Sequence, residues 1–262
     1  MRTLVVGDIH GSHKGLVQAM QRCKFDNDKD QLISLGDIAD GWPETPQCVD
    51  ELLKIKNLIA IKGNHDDWTL NWMNTANADH HWMNSGGKAT KDAYDQAQMY
   101  NEHDREAHHK FFKYQHDFYI DDENRAFVHG GFTSRKGIGH DPYRSNYYWD
   151  RDMWQLAMYG DRKSAEEMEG IHMFAKRFLN HKEVYIGHTT TTNYNAKGNM
   201  KESKDPNQKL NGPITVPMNR CNVWNMDTGG GFHGKVTIMD IDTKEYWQSD
   251  LCKELYPEHA GR

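Results

Sequence analysis

Three short β-prone runs open this sequence, and each ends in a polar turn built around glycine. Residues 2–6 lead into Gly7-Asp8-Ile9-His10-Gly11, and residues 31–35 into Gly36-Asp37-Ile38-Ala39-Asp40-Gly41. Residues 58–61 lead into Gly63-Asn64-His65-Asp66-Asp67. Between them apolar residues recur at helical spacing, at Leu16, Ala19 and Met20 and again at Val49, Leu52, Leu53 and Ile55. Strand, helix, strand, helix, strand predicts an α/β fold with a parallel sheet and crossover helices. Ligands of such sheets bind beyond the carboxyl ends of the strands. All three turns sit there, so their side chains can converge on one site.

Residues 68–116 break the rhythm. They are rich in Asn, His, Asp and Trp, carry a glycine turn at Gly86-Gly87, and read as a helical insertion packed on the core and overhanging the site. Strand pattern returns at 117–128, where Phe118-Tyr119-Ile120 and Ala126-Phe127-Val128 flank a turn at Asp121–Asn124. A helix is expected over 164–180, and a buried strand Val184-Tyr185-Ile186 runs into Gly187-His188-Thr189. Residues 192–213 read as a long polar loop, followed by strands near 222–226, 234–241 and 245–248. With no internal repeat, the expectation is one domain over 1–262.

Composition narrows the function classes. A chain of 262 residues buries enough surface to fold without a disulfide or metal staple. The net charge of −6 is spread over both signs with no basic block, which argues against a nonspecific nucleic-acid binder. The four cysteines (Cys23, Cys48, Cys221, Cys252) form no CxxC pair and fit a reducing compartment. The run Leu4-Val5-Val6 is too short for the apolar core of a secretory leader, and no stretch is long enough to cross a membrane. A cytoplasmic protein is expected.

The turns carry metal-ligand chemistry. A dinuclear hydrolytic site holds two divalent cations about 3.5–4 Å apart, which clamp a phosphoryl group and activate water. That proximity requires a shared anionic ligand, with imidazoles and oxygen donors completing the shells. Asp8 and His10, two apart on a strand-end turn, can face one ion. Asp37 can bridge, Asn64 can offer its carbonyl oxygen to the second ion, and His129 and His188 each follow a buried strand.

Taken in order, Gly7–Gly11, Gly36–Gly41, Gly63–Asp66, Val128-His129-Gly130-Gly131 and Gly187-His188-Thr189 resemble the ordered motifs of the calcineurin-like metallophosphoesterases. Within them the chain is most similar to the phosphoprotein-phosphatase branch, as in bacterial and phage Ser/Thr phosphatases. The supporting segments are 84–90, Tyr148-Trp149-Asp150-Arg151 and Met226-Asp227-Thr228-Gly229. The resemblance implies a four-layer α-β-β-α sandwich of two mixed sheets with helices outside. It also implies two divalent ions, Mn²⁺ by preference with Fe or Zn as alternatives, held by Asp8, His10, Asp37, Asn64, His129 and His188. His65 would be the general acid oriented by Asp40, and Arg151 and Asn64 would bind phosphate. The substrate class implied is a phosphomonoester, such as phosphoserine or phosphothreonine in a protein.

One position departs from that pattern. The family carries Arg directly after the second Asp of its second motif, where it grips phosphate; here Gly41 and Trp42 follow Asp40. Losing a planar bidentate fork weakens monoester binding. A symmetrical dinucleoside polyphosphate or other nucleotide hydrolase is therefore the first alternative, and a non-catalytic metal- and phosphate-binding module the second. Bland readings accompany several residues. Trp42 in a turn is more often packing than a stacking platform, and Arg151 could simply pair with Asp150 or Asp152. The histidines at 80, 81, 103, 108, 109 and 116 lack metal spacing and read as a solvated helical face. Asp66 and Asp67 suit the first turn of a helix starting at 66, and Asp227–Gly231 suits a turn near the metal site.

Overall fold

A computed structural model describes residues 1–96, 102–160, 176–194 and 214–262. Most of the helix expected over 164–180 and of the loop expected over 192–213 lies outside these residues.

The first half forms a mixed sheet. Strands β1 (Thr3–Val6), β2 (Gln31–Ser34) and β3 (Asn57–Ala60) pair in parallel, and β9 (Thr237–Asp240) and β10 (Tyr246–Gln248) add antiparallel strands on the β1 side. Helices α1 (His13–Arg22) and α2 (Thr45–Leu53) are the crossovers. The second half forms another mixed sheet in the order β4-β5-β6-β8-β7. Its strands are β4 (Phe118–Ile120), β5 (Arg125–Val128), β6 (Glu183–Ile186), β7 (Met218–Arg220) and β8 (Val223–Asn225), with β5, β6 and β8 parallel. Strand β7 has no counterpart in the expected pattern, because Met218-Asn219-Arg220 carries no β-branched or alternating signal and pairs only at the sheet edge.

Period-two alternation explains the layers. In β1, Leu4 and Val6 face the helices while Val5 faces the other sheet; in β6, Val184 and Ile186 face outward and Tyr185 inward. The inner layer joins Val5, Ile33, Ile61 and Met239 of the first sheet to Phe127, Tyr185 and Met226 of the second. There Phe127 stacks on Tyr185 at 4.8 Å. Strands buried on both faces need continuous apolar runs, as these have. Two mixed sheets face each other with helices outside, the four-layer arrangement that the resemblance implied.

The region after β3 is helical, as expected, with a different start. Helix α3 (Asn64–Thr75) begins two residues before the expected position, so Asn64 and His65 lie in its first turn. Short α4 (His80–Trp82), a π-type turn at Met83–Gly87, α5 (Lys88–Gln96) and α6 (Glu102–Lys113) follow. Phe111 and Phe112 of α6 enter the core beneath the first sheet. The solvated-face reading of the histidines fails at His108, which is buried between Tyr94 Oη at 2.8 Å and Asp50 Oδ1 at 2.9 Å. A polar partner on either ring nitrogen makes that burial tolerable.

Candidate metal centre

The turns after β1 and β2 dock through main-chain bonds. Asp37 O accepts from Ile9 N at 3.0 Å and His10 N at 2.8 Å, and Ile38 O accepts from Gly11 N at 2.7 Å. This docking places His10, Asp37 and Asp40 at left-handed φ of 51°, 50° and 72°, and His188 adopts 66°. Left-handed backbone costs a non-glycine residue about 1–3 kcal/mol and is kept where the surroundings over-determine it. Close approach also dictates Gly63, where a Cβ would come 2.1 Å from Asp37 Oδ1.

Six parallel strands deliver the polar residues. Asp8 and His10 follow β1, Asp37 follows β2, Asn64 follows β3, His129 follows β5 and His188 follows β6; Asp227 follows β8. Apart from Asp227, these are the side chains expected to converge, and none of those six is more than 4 % exposed. Ligand atoms of Asp8, His10 and Asp37 lie within 4.8 Å of one another, as do those of Asp37, His129 and His188. Asp37 belongs to both groups. Its Oδ1 accepts from His65 N at 3.0 Å at the start of α3, whereas its buried Oδ2 has no hydrogen-bond partner. That oxygen stands 3.5 Å from His10 Nε2 and 3.3 Å from His129 Nε2.

The imidazoles are held in tautomers suited to ligation. His10 Nδ1 donates to Ala39 O at 3.0 Å and His129 Nδ1 to Leu35 O at 2.8 Å, which leaves the Nε2 lone pairs facing Asp37. Asn64 Oδ1 lies 3.2 Å from His129 Nε2, and His188 Nε2 is buried without a partner. Burial, then Asp227 and Asp37, pushes the Asp8 carboxyl well above the usual range. Burial works against charge on Asp37 too, yet His129, His65 and His10 around it hold its carboxyl well below that range. Buried carboxylates and unpartnered nitrogens of this kind are tolerated when they ligate cations. The mixed oxygen and nitrogen donors suit divalent Mn, Fe or Zn, and the two triads sharing Asp37 fit a pair of such ions.

Beside the triads, His65 Nδ1 bonds to Asp40 Oδ2 at 2.7 Å, and His65 Nε2 is buried with no partner. The ring lies edge-on to His10 with centroids 4.9 Å apart. Burial pushes Asp40 up to about 8 and His65 down to about 3, so near neutrality the pair retains one proton between them. Arg151 Nη1 donates to His188 O at 2.9 Å and Thr189 Oγ1 at 3.1 Å, not to Asp150 or Asp152. Trp42 is fully buried, donates to Gly230 O at 2.6 Å and stacks on Tyr256, so it packs and offers no platform. The Asp227–Gly231 turn lies against Asp8 and His10: a Cβ on Gly230 would come 2.4 Å from Asp8 O.

Sequence reasoning missed several supports. Trp82 Nε1 donates to Asp40 Oδ2 at 2.8 Å, and Asp40 N donates to Thr90 Oγ1 at 2.8 Å. Thr90 lies in the 84–90 segment already singled out, but Trp82 carried no signal. Asp66 reaches beyond its own helix turn and accepts from Ile38 N, Ala39 N, Gly63 N and Gln115 Nε2. Arg262, too remote in sequence to suspect, places Nη1 3.3 Å from His10 Nε2.

Known proteins resemble this chain in sequence and fold. The chain is 35% identical to serine/threonine-protein phosphatase 1 of Salmonella typhimurium over 83 residues, which span 32% of this chain and only 38% of that relative. It is 26% identical to the symmetrical bis(5'-nucleosyl)-tetraphosphatase of Pseudomonas fluorescens across 98% of this chain and 97% of that one. Among solved structures, a metallophosphoesterase from Sphaerobacter thermophilus shares the fold, with a TM-score of 0.53 at 15% identity over 98% of this chain and 94% of that one. Among the described residues no helix is long and apolar enough to cross a membrane. The family model for calcineurin-like phosphoesterases matches residues 1–197, three quarters of the chain, and the chain belongs to that family.

Proposed function

We propose that this chain is a two-metal phosphoesterase that hydrolyses phosphomonoesters, with phosphoserine and phosphothreonine in proteins as the preferred substrate class. The observation that carries the reading is the pair of ligand triads sharing Asp37, with the unpartnered Nε2 of His65 alongside. Asp8, His10 and Asp37 would hold one cation and Asp37, Asn64, His129 and His188 the other, with Mn²⁺ the preferred metal. When bound, such ions supply Lewis-acid polarisation of the phosphoryl group and lower the pKa of water. The chain's own residues would do the rest. Arg151, fixed by His188 O and Thr189, would hold phosphoryl oxygens together with the Asn64 side-chain amide. His65 would give the leaving alkoxide its Nε2 proton while Asp40 passes its own proton to His65 Nδ1 across the 2.7 Å bond that fixes the ring, so the imidazole stays neutral. No side chain attacks phosphorus in this scheme, so no covalent phosphoenzyme forms.

The phosphatase named among the relatives supports the monoester reading. The full-length match to a symmetrical tetraphosphatase, together with Gly41, favours a second one, cleavage of dinucleoside polyphosphates. Metal-stripped protein reconstituted with Mn²⁺ should hydrolyse p-nitrophenyl phosphate, and Asp37→Asn should lower kcat at least roughly 10³-fold while the far-UV spectrum is retained. Equal activity in wild type and Asp37→Asn would sink the two-metal mechanism. Release of nucleoside diphosphates from a dinucleoside tetraphosphate, with no turnover of a phosphoprotein, would favour the second reading.

A further inference from the structure

We propose that Arg262, supplied from the segment after Tyr256, is a phosphate-binding residue that works opposite Arg151 across the site; this rests on the phosphoesterase reading above. Its guanidinium lies beside the candidate metal centre, with Nη1 3.3 Å from His10 Nε2 and Cζ 5.4 Å from the centre of the Phe232 ring. Among the described residues it forms no ion pair with a carboxylate. A guanidinium brought into a cleft without a carboxylate has donors to spare for an anion.

The placement is built by the chain. Arg262 N donates to Gly231 O at 2.8 Å, tying it to the glycine turn that packs on His10. The preceding Gly261 has φ +75°, and a Cβ there would come 2.9 Å from both Gly231 O and Trp42 Cζ2. The segment is therefore seated in a slot that the buried Trp42 forms, which gives that tryptophan a purpose beyond packing. Gly41 completes the case. A Cβ on residue 41 would lie 3.4 Å from Arg262 Cβ, in ordinary contact, so the stem of Arg262 packs directly beside the backbone at 41. The cation absent at 41 is delivered to the same neighbourhood from 262.

A cation bound at His10 Nε2 would take the lone pair that Arg262 shares here, leaving the guanidinium fork for phosphoryl oxygens. Arg262 beside His10 and Arg151 beside His188 would then approach the dianion from the two triads' sides. A cleft of about 420 Å³ runs alongside Arg262, lined by Pro43, Met83, Asn84, Lys88 and His259, and has room for the remainder of the substrate.

The test compares wild type, Arg262→Ala and Arg262→Lys, each loaded with Mn²⁺. Mn²⁺ binding and orthophosphate binding are read by calorimetry, and KM and kcat on p-nitrophenyl phosphate in parallel. Loss of a charge-assisted fork should weaken orthophosphate binding and raise KM roughly tenfold or more in Arg262→Ala, with Mn²⁺ affinity kept and partial recovery in Arg262→Lys. Orthophosphate affinity within twofold of wild type in both variants would overturn the proposal. So would loss of Mn²⁺ binding in both, which would assign Arg262 to supporting His10. If Arg262→Ala does not fold, Arg262→Lys decides: it keeps the charge, loses the fork, and should still bind orthophosphate more weakly. A wild type that binds Mn²⁺ and orthophosphate but hydrolyses nothing would remove the phosphoesterase reading while the orthophosphate comparison still judges Arg262.

Discussion

A buried imidazole with one ring nitrogen bonded and the other bare is costly to keep, and His65 is kept that way. Asp40, which fixes its ring, is itself held by Trp82 Nε1 on the carboxylate and by Thr90 on the backbone N–H. That supports a proton donor over a merely structural histidine, and leaving-group chemistry can separate the two. His65→Asn should lower kcat on an alkyl phosphate roughly 10²–10⁴-fold but much less on p-nitrophenyl phosphate, whose leaving group needs little protonation. Equal losses on both substrates would remove the proton-donor role. The candidate ligands and the His65–Asp40 pair were legible because each stands in a short glycine-flanked motif. Trp82 and Arg262 were not, because their contacts join residues 42 and 252 positions apart and leave no local trace.

Single elements set the geometry of the turns. Helix α3 starts at Asn64 rather than 66 because Asp66 accepts from Gly63 N at 3.1 Å and closes the first turn from within. The same carboxylate reaches Ile38 N at 2.8 Å and Ala39 N at 3.1 Å, tying the turn after β2 to the start of α3. A first-turn acid was expected to favour the helix dipole; the structure gives it this second task. Asp66→Asn turns one acceptor into a donor facing other donors, so it should cost about 3 kcal/mol by urea unfolding. It should also weaken Mn²⁺ binding, since Asp37 loses its fixed setting. A change below about 0.5 kcal/mol would show that the turns hold themselves together without Asp66.

At the scale of the whole molecule, the centre lies where the carboxyl ends of β1, β2 and β3 meet those of β5, β6 and β8 from the facing sheet. Ions held by residues of both sheets would link them and stabilise the folded state by mass action. Mn²⁺ at a hundredfold over its Kd should add about 2.7 kcal/mol, raising Tm by roughly 5–10 °C, and EDTA should reverse it. An unchanged Tm at saturating Mn²⁺ would argue against a site spanning the two sheets. By itself, the sequence determined the α/β rhythm, the strand-end position of the polar turns and the residue types offered there as candidate ligands. All of these follow from periodicity and glycine spacing within a few residues. Only tertiary structure decided that Trp42 is buried, that His108 is a core histidine, and that the helices after α3 clasp Asp40. It alone brought residue 262 to the space beside Gly41. Such outcomes depend on which distant surfaces dry against each other, and burial is a property of the packed chain rather than of any local window.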